Sequence, residues 1–225
     1  MRLLLIRHAQ TPANVLGQLD TGRPGPGLTR LGQRQASEIP VALGDGPIAA
    51  IFASPLVRTQ LTAEPLSASR GLDVRVLEGL QEIEAGSLEK RSDRASVRRY
   101  LETVFAWGSG KLDVRMPGGT DGHAFFERFD ADIGRAASAA VHGPTEEPPT
   151  AAVFSHGAAI RVWTAARVSN VPPEFAATHE LDNTGVVELA GSPDDGWTLL
   201  SWAGLPVGGP QLIDQQAEDP TGEPL

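Results

Sequence analysis

Leu3-Leu4-Leu5-Ile6-Arg7-His8-Ala9-Gln10-Thr11 is the stretch on which the reading of this chain turns. Four consecutive branched aliphatic residues read as a strand buried on both faces, as in a parallel sheet. A cation and an imidazole follow at once. In open α/β sheets the ligand crevice lies just beyond the carboxyl ends of such strands. Arg7 and His8 therefore stand where a site is expected. The ordinary alternative is a solvated turn, and the remainder of the chain weighs between the two.

Two further runs repeat the pattern. Ile48 to Ala53 is followed by Ser54-Pro55, and Ala151-Ala152-Val153-Phe154 by Ser155-His156-Gly157. Val74, Val76 and Leu77 make a shorter strand, while Gly185–Leu189 and Trp197–Trp202 read as a closing pair. Between them fall helical segments: Leu28 to about Leu43 with Thr29 as N-cap, then Val57–Ser69, Arg91–Trp107, Asp121–Val141 and Ala158–Val168. The helix from Asp121 carries an apolar face of Phe125, Phe126, Phe129 and Ile133. Pro12–Gly27, the acidic stretch Leu80–Gly86 and Gly108–Gly119 read as loops, and His142–Pro149 as a linker. Strands alternating with helices predict an α/β fold, a three-layer α/β/α sandwich with a mostly parallel central sheet. Residues 1–204 are expected to form one domain. Beyond Gly204 the composition turns to Pro, Gly, Asp, Glu and Gln, which predicts a flexible tail over 205–225.

Composition narrows the function. The 225 residues carry a formal net charge of -9 and 40% hydrophobic residues, with no cysteine. Disulfides and thiolate metal sites are excluded. Nineteen dispersed cations do not make the basic face that nucleic acid needs. No apolar run is long enough to cross a membrane and no signal region is recognised, so the expected location is cytoplasmic. A homodimer is left open. On so acidic a chain, an anion site must be a local concentration of arginine in a pocket.

Three strand ends supply one. The first gives Arg7-His8, the second leads to Arg58, and the fourth gives His156; right-handed crossovers would bring them to one sheet edge. Two arginines and two histidines are unfavourable together unless an anion sits among them. Guanidinium forks suit phosphate oxygens, and helices starting near Arg58 and Ala158 add their N-terminal dipoles. A histidine in such a pocket can act as a nucleophile. Taken singly, His8 is equally a structural imidazole bonded to a loop carbonyl, and His156 a core histidine at a strand end.

Arg7-His8-Ala9-Gln10-Thr11 with Asn14 resembles the Arg-His-Gly-Glu/Gln-Thr signature of the histidine phosphatase superfamily. The similarity continues through Leu28-Thr29, Gly32, Gln35-Ala36, Ala53-Ser54-Pro55-Leu56, Arg58-Thr59, Thr62-Ala63, Leu80, Glu82, Gly86 and Ser155-His156-Gly157. The resemblance implies that His8 attacks phosphorus, that Arg7, Arg58 and His156 hold the equatorial oxygens, and that Asn14 adds a phosphate donor. Thr21-Gly22 is similar to a small-residue turn lining the pocket. Glu82 matches the proton donor to the leaving oxygen, with Glu84 as its rival two residues on. The implied enzyme is a phosphomonoester hydrolase working on a small phosphorylated substrate through a phosphohistidine, with no cofactor and no metal.

This chain also departs from the pattern. Ala9 replaces the usual glycine and would be strained if that position needed a positive φ. Gly25-Pro26-Gly27-Leu28-Thr29 lacks the usual acid before Pro-Leu-Thr, and Leu88-Glu89-Lys90 stands where Trp-Glu-Gly is common. A phosphoglycerate-type mutase is disfavoured because the acid loop lacks cations. A non-catalytic phosphate binder is the other alternative. Serine hydrolysis at Ser155 lacks a Gly-x-Ser-x-Gly elbow, and no His-Glu-x-x-His helix suggests a metal. Arg91, Arg94, Arg98 and Arg99 read first as a solvated helix face and second as a lid for an anionic substrate. His123, His142 and His179 read as surface or loop residues, with Arg115 or His123 a remote substrate contact.

Overall fold

The structure, a computed structural model, describes residues 1–140 and 148–223. The apolar run after Met1 forms β1 (Arg2–Arg7), and five more strands complete one sheet: β2 (Ala50–Ala53), β3 (Val74–Val76), β4 (Thr150–Ser155), β5 (Val186–Ser192) and β6 (Gly196–Ala203). Their order is β3-β2-β4-β1-β5-β6. The first four strands run parallel, and β5 and β6 add an antiparallel margin.

Helices cover both faces. These are α1 (Pro12–Val15), α2 (Arg30–Ala42), α3 (Val57–Arg70), α4 (Arg94–Gly108), α5 (Gly122–Ala140), α6 (Gly157–Arg167) and α7 (Phe175–Thr178). Alternation along β1 divides the core. Leu3 and Leu5 join Phe52, Val153, Val104, Phe125, Phe129 and Trp163 beneath α4, α5 and α6. Leu4 and Ile6 join Ile51, Phe154, Ile39 and Leu66 beneath α2 and α3. The sandwich expected from the sequence is the architecture observed. Leu5 is wholly buried, and truncating such a residue to alanine costs about 2–5 kcal/mol.

Local signals set the helix ends. The Thr29 hydroxyl accepts from the Gly32 amide (3.0 Å), and the Asp93 carboxylate accepts from the Ser96 amide (3.1 Å). This second cap starts α4 at Arg94 instead of Arg91. A Cβ on Gly32 would lie 2.2 Å from the Gln10 carbonyl oxygen, so α2 packs directly on the segment leaving β1. Two four-residue helices escape the sequence reading, α1 inside the Pro12–Gly27 loop and α7 after α6. Each is about one turn long and too short to carry a helical period.

The parallel register positions the site. Arg7 lies opposite Ser155, and the His8 amide donates to the Ser155 carbonyl (3.0 Å), so His8 and His156 leave neighbouring strands side by side. The Ser54 amide donates to the Phe154 carbonyl (3.0 Å), which brings the end of β2 to the same edge.

Of the tail expected over 205–225, residues 205–223 lie against the domain. The Leu212 carbonyl accepts from Gln35 Nε2 (2.9 Å), Asp214 Oδ2 accepts from Gln10 Nε2 (2.9 Å), and the Thr221 and Glu223 carbonyls accept from Arg161 Nη1 (3.0 and 2.8 Å). The polar composition that suggests disorder is satisfied here by polar groups of the domain. Val141, most of the expected linker including His142, and residues 224–225 lie outside the described residues. Among the described residues no helix is long and apolar enough to cross a membrane.

Candidate active site

The cup begins with two imidazoles. The rings of His8 and His156 are edge-on with centroids 5.2 Å apart. His8 Nδ1 donates to the Ala9 carbonyl (2.8 Å), because a carbonyl can only accept; Nε2 is left with its lone pair. Burial disfavours the imidazolium, and Arg58 and Arg7 add repulsion, so the His8 pKa lies well below 6.5. His156 is depressed in the same way by burial, Arg58 and His8. Both are therefore neutral near pH 7. The Leu56 amide donates to Ser54 Oγ (3.2 Å), and that oxygen lies 2.7 Å from His156 Nε2. With the Ser54 proton directed to Nε2, Nδ1 of His156 carries the hydrogen and has no partner of its own.

Arg58, in the first turn of α3, is buried and donates from Nη2 to the Asp20 carbonyl (2.9 Å); its Nε and Nη1 have no acceptor. Burial lowers its pKa to about 10, against the pull of Glu82 and Asp20, so it stays charged. Unpaired guanidinium donors of this kind are costly unless a ligand satisfies them. Arg7 is fully buried; its Nε has no acceptor, and its two Nη groups are engaged. Its Nη2 donates to Asp219 Oδ1 (2.7 Å) and Thr221 Oγ1 (2.9 Å), and Nη1 donates to the Leu181 carbonyl (2.7 Å) and lies 2.6 Å from Asp219 Oδ2. Burial works against the Arg7 cation, but Asp219 outweighs it and the pKa is raised. Asn14 Nδ2 donates to the same Asp219 Oδ1 (3.0 Å), its own Oδ1 being held by the Thr11 amide and hydroxyl.

Glu82 and Glu84 part company. Glu84 is exposed, whereas Glu82 is buried, with Oε1 accepting from Ile83 N (2.8 Å) and Ala159 N (2.9 Å) and Oε2 from Ala158 N (3.2 Å). Burial raises its pKa despite these donors and Arg58. It is thus the carboxyl whose protonated form is favoured at the mouth of the two imidazoles. His8, Asn14, Thr21, Arg58, Glu82 and Thr221 all line one cavity of about 20 Å³.

Of the expected turn, Thr21 lines the cavity and Gly22 does not, and the backbone amides of both face Glu89. Glu89 Oε1 accepts from both amides (3.0 and 3.2 Å), and Glu89 Oε2 accepts from the Thr21 hydroxyl (2.5 Å). Their donors are committed to a carboxylate. Thr21 Oγ1 in turn accepts from Ala85 N (2.9 Å), so this turn ties Asp20–Gly22 to the acid loop. Ala9 is unstrained: Lys90 and Thr184 are the non-glycine residues with positive φ among the described residues. Its amide donates to Thr62 Oγ1 (3.0 Å).

Several supports carried no recognisable sequence signal. Arg128 of α5 donates to the carbonyls of Gly79 (2.6 Å), Gln81 (2.7 Å) and Glu82 (2.9 Å), and Tyr100 of α4 donates to that of Ile83 (2.9 Å). Asp132 Oδ2 accepts from Gly79 N (2.5 Å). The charge at Arg128, beside the Phe125–Phe129 stripe, is the one hint. Arg91 and Arg98 pair on the surface with Asp93 and Glu102, as a solvated face would. Arg94 borders a separate cavity with Gly17, Leu101, Glu218 and Pro220. His123 meets Asp113, Arg115 meets Asp121 and His179 stacks on Phe175, none of them lining the cup.

Residues 3–204 match the family model described as histidine phosphatase superfamily (branch 1). A PE-PGRS family protein of Mycobacterium tuberculosis, PE_PGRS11, is 42% identical over 212 residues, 90% of this chain and 36% of that protein. An adenosylcobalamin/alpha-ribazole phosphatase of Escherichia coli is 32% identical over 135 residues, 60% of this chain and 66% of that enzyme. The chain thus spans less than two thirds of either relative. Among solved structures, a mycobacterial glucosyl-3-phosphoglycerate phosphatase superposes with a TM-score of 0.73 at 25% identity, covering 91% of this chain and 99% of that one. The alpha-ribazole phosphatase of Shigella flexneri gives 0.69 at 26%, covering 93% and 98%.

Proposed function

The chain belongs to the histidine phosphatase superfamily, and from that premise we propose that it hydrolyses small phosphomonoesters through a phosphohistidine on His8. The single observation that carries the reading is the neutral, oriented His8 beside His156, with unpaired Arg58 donors and buried Glu82 around the same small cavity. The lone pair on His8 Nε2 forms a bond to phosphorus as the ester P–O bond breaks. Arg58, Arg7, Asn14 and the Nδ1–H of His156 hold the non-bridging oxygens, where charge resides in a loose transition state. The departing oxygen takes the Glu82 proton. In the second half, water gives its proton to the Glu82 carboxylate while its oxygen attacks phosphorus. The P–N bond then breaks, its electron pair returns to Nε2, and phosphate leaves.

The charge states suit this sequence. A nucleophilic imidazole must be unprotonated and a general acid protonated at once. The depressed His8 pKa and raised Glu82 pKa move the two groups in those directions. The acid loop bears on mutase chemistry: Lys90 pairs with Asp20, and Arg23 is engaged by Gln81 and Glu78. The loop itself, Leu80–Gly86, carries no cation, and with neighbouring Lys90 and Arg23 paired it offers none to a second phosphate, which favours transfer to water.

A panel of phosphomonoesters tests the proposal, with p-nitrophenyl phosphate as the general probe. Alpha-ribazole phosphate, glucosyl-3-phosphoglycerate and phosphoserine are included because similar proteins carry those names. Turnover by wild type and none by His8→Ala is the expected result. Phosphate binding without hydrolysis of any ester would make the protein a binder, and dependence on a bisphosphorylated glycerate primer would make it a mutase.

A further inference from the structure

The carboxylate of Asp219 takes donors that the substrate reading gives to phosphate. Its Oδ1 accepts from Arg7 Nη2 (2.7 Å) and Asn14 Nδ2 (3.0 Å), and its Oδ2 lies 2.6 Å from Arg7 Nη1. Arg7 and Asn14 are two of the donors assigned above to phosphate oxygens. A carboxylate and one edge of a phosphate present the same pair of acceptor oxygens to a guanidinium fork. Asp219 arrives on a segment that is itself built against the cup. Arg7 Nη2 also donates to Thr221 Oγ1 (2.9 Å), and Thr221 lines the cavity with His8 and Glu82. Arg161, buried in α6, donates from Nη1 to the carbonyls of Thr221 and Glu223. At Gly222 the chain comes so close that a Cβ would lie 2.1 Å from Arg7 Nη1 and 2.9 Å from the Leu181 carbonyl oxygen.

Size leaves little room for coexistence. The cavity that remains, about 20 Å³, is enough for roughly one water. A phosphomonoester is several times larger. A phosphate can therefore take these Arg7 and Asn14 donors only if the segment carrying Asp219 and Thr221 withdraws.

The segment is also easy to release. Residues 214–223 have one buried apolar anchor, Pro220, beside Val97 and Leu101; their other holds on the domain are hydrogen bonds and the ion pair with Arg7. Segments with few buried apolar contacts open at the low end of the local stability range. One of its holds is the ion pair with Arg7, and an incoming dianion offers Arg7 and Asn14 the same bonds with more charge.

We propose that residues 214–223 form an internal plug in which the Asp219 carboxylate occupies the phosphate subsite of Arg7 and Asn14, so that substrate phosphate and Asp219 exclude each other. The inference goes beyond the phosphatase reading and depends on it only for the activity readout. A ligand competing with the plug loses apparent affinity by the fraction of open molecules. Weakening the plug therefore lowers KM and tightens phosphate binding, while the chemical step, made by His8 and Glu82, keeps its rate.

Three variants of the full chain and one shortened chain test this: Asp219→Asn, Asp219→Ala, Gly222→Ala and a chain ending at Ala217. Inorganic phosphate binding is measured by calorimetry, and KM and kcat with p-nitrophenyl phosphate. Asp219→Asn removes charge at constant shape, and Gly222→Ala crowds the segment against Arg7 Nη1 and the Leu181 carbonyl without removing a charge. Both are expected to tighten phosphate binding about tenfold or more and to lower KM in parallel at similar kcat. A peptide of residues 214–225 added to the shortened chain restores the inhibition competitively with substrate, and the same peptide carrying Asn at 219 does not.

If Asp219 instead fixes Arg7 for catalysis, Asp219→Asn lowers kcat and weakens phosphate binding, and the plug is wrong. Unchanged phosphate affinity in all folded variants overturns it equally. Tighter phosphate binding in proteins that hydrolyse no ester keeps the plug and removes the phosphatase, so the two readings fail separately.

Discussion

Two segments reach the cup from outside the sheet, and they are held by opposite means. The acid loop around Glu82 is pinned from every side: Arg128 takes three of its carbonyls, Tyr100 a fourth, Asp132 the Gly79 amide, and Glu89 and Thr21 brace its far end. The C-terminal segment places Asp219 and Thr221 just as deep, and besides the buried Pro220 and the Leu181 amide on the Gly222 carbonyl (2.9 Å) it is held by hydrogen bonds from Arg7, Asn14 and Arg161. The loop's partners are spectators that no substrate can replace. Two of the segment's partners are groups that a phosphate would claim. A proton donor must keep its position through turnover, whereas a segment sharing the phosphate donors has to leave.

The largest effect expected from breaking that contrast is at Glu82 itself. Glu82→Gln keeps the side-chain shape and the Oε1 acceptor but removes the proton and the acceptor for the Ala158 amide, and kcat for an alkyl phosphate is expected to fall about 10²–10⁴-fold. p-Nitrophenyl phosphate, whose leaving group needs no proton, should lose much less in the phosphorylation step; steady-state and single-turnover kinetics on both esters check this. In the wild type, kcat/KM rises with pH as His8 deprotonates below 6.5 and falls as Glu82 deprotonates above 4.5. The falling limb should vanish in Glu82→Gln.

Next comes the loop's anchor. Arg128→Met strands three carbonyls, and hydrogen bonds from a charged donor are worth about 1.5–3 kcal/mol each, less whatever water restores. A loss of about 3 kcal/mol in urea unfolding is expected, with kcat reduced and phosphate affinity preserved. A variant that lost phosphate affinity instead would mean the loop positions the anion and not the acid.

A smaller effect concerns pH and stability. His8 and His156 both have folded pKa values below 6.5, so the unfolded chain takes up protons first as pH falls. Stability is then full above about pH 6.5 and declines below it, each histidine contributing up to about 1.4 kcal/mol per pH unit until its folded pKa is reached. Glu82, with its raised pKa, acts in the opposite sense, and its contribution is lost as pH rises through the folded value. Chemical denaturation between pH 7 and pH 5 should give a shallower slope for His156→Asn than for wild type. The smallest effect belongs to Arg98→Ala, whose exposed pair with Glu102 is worth no more than about 0.5 kcal/mol; a clear rise in KM there would restore the lid reading of α4.

The same contrast separates what the sequence could reveal from what it could not. β1 and β4 are legible because strands buried on both faces show uninterrupted apolar runs, and Arg7, His8 and His156 follow at their ends by parallel register. Thr29 is legible because a cap is a local event. Glu82 could be preferred to Glu84 only by resemblance, since the direction of each side chain depends on contacts with α5 and α6. Arg128, Tyr100 and Glu89 act across 17 to 68 positions of chain, and nothing local marks them. The contacts of the C-terminal segment are illegible for a related reason. Its polar residues look solvated on their own, and their partners, Arg7 and Arg161, are buried cations more than 50 positions away.

The claim on which everything rests is that His8 carries the phosphoryl group. Rapid acid-free quench of a turnover with p-nitrophenyl phosphate, followed by peptide mass spectrometry at neutral pH, should find phosphate on His8 of the wild type and none in His8→Ala. Steady hydrolysis with no label on His8, or label on another residue, would contradict it.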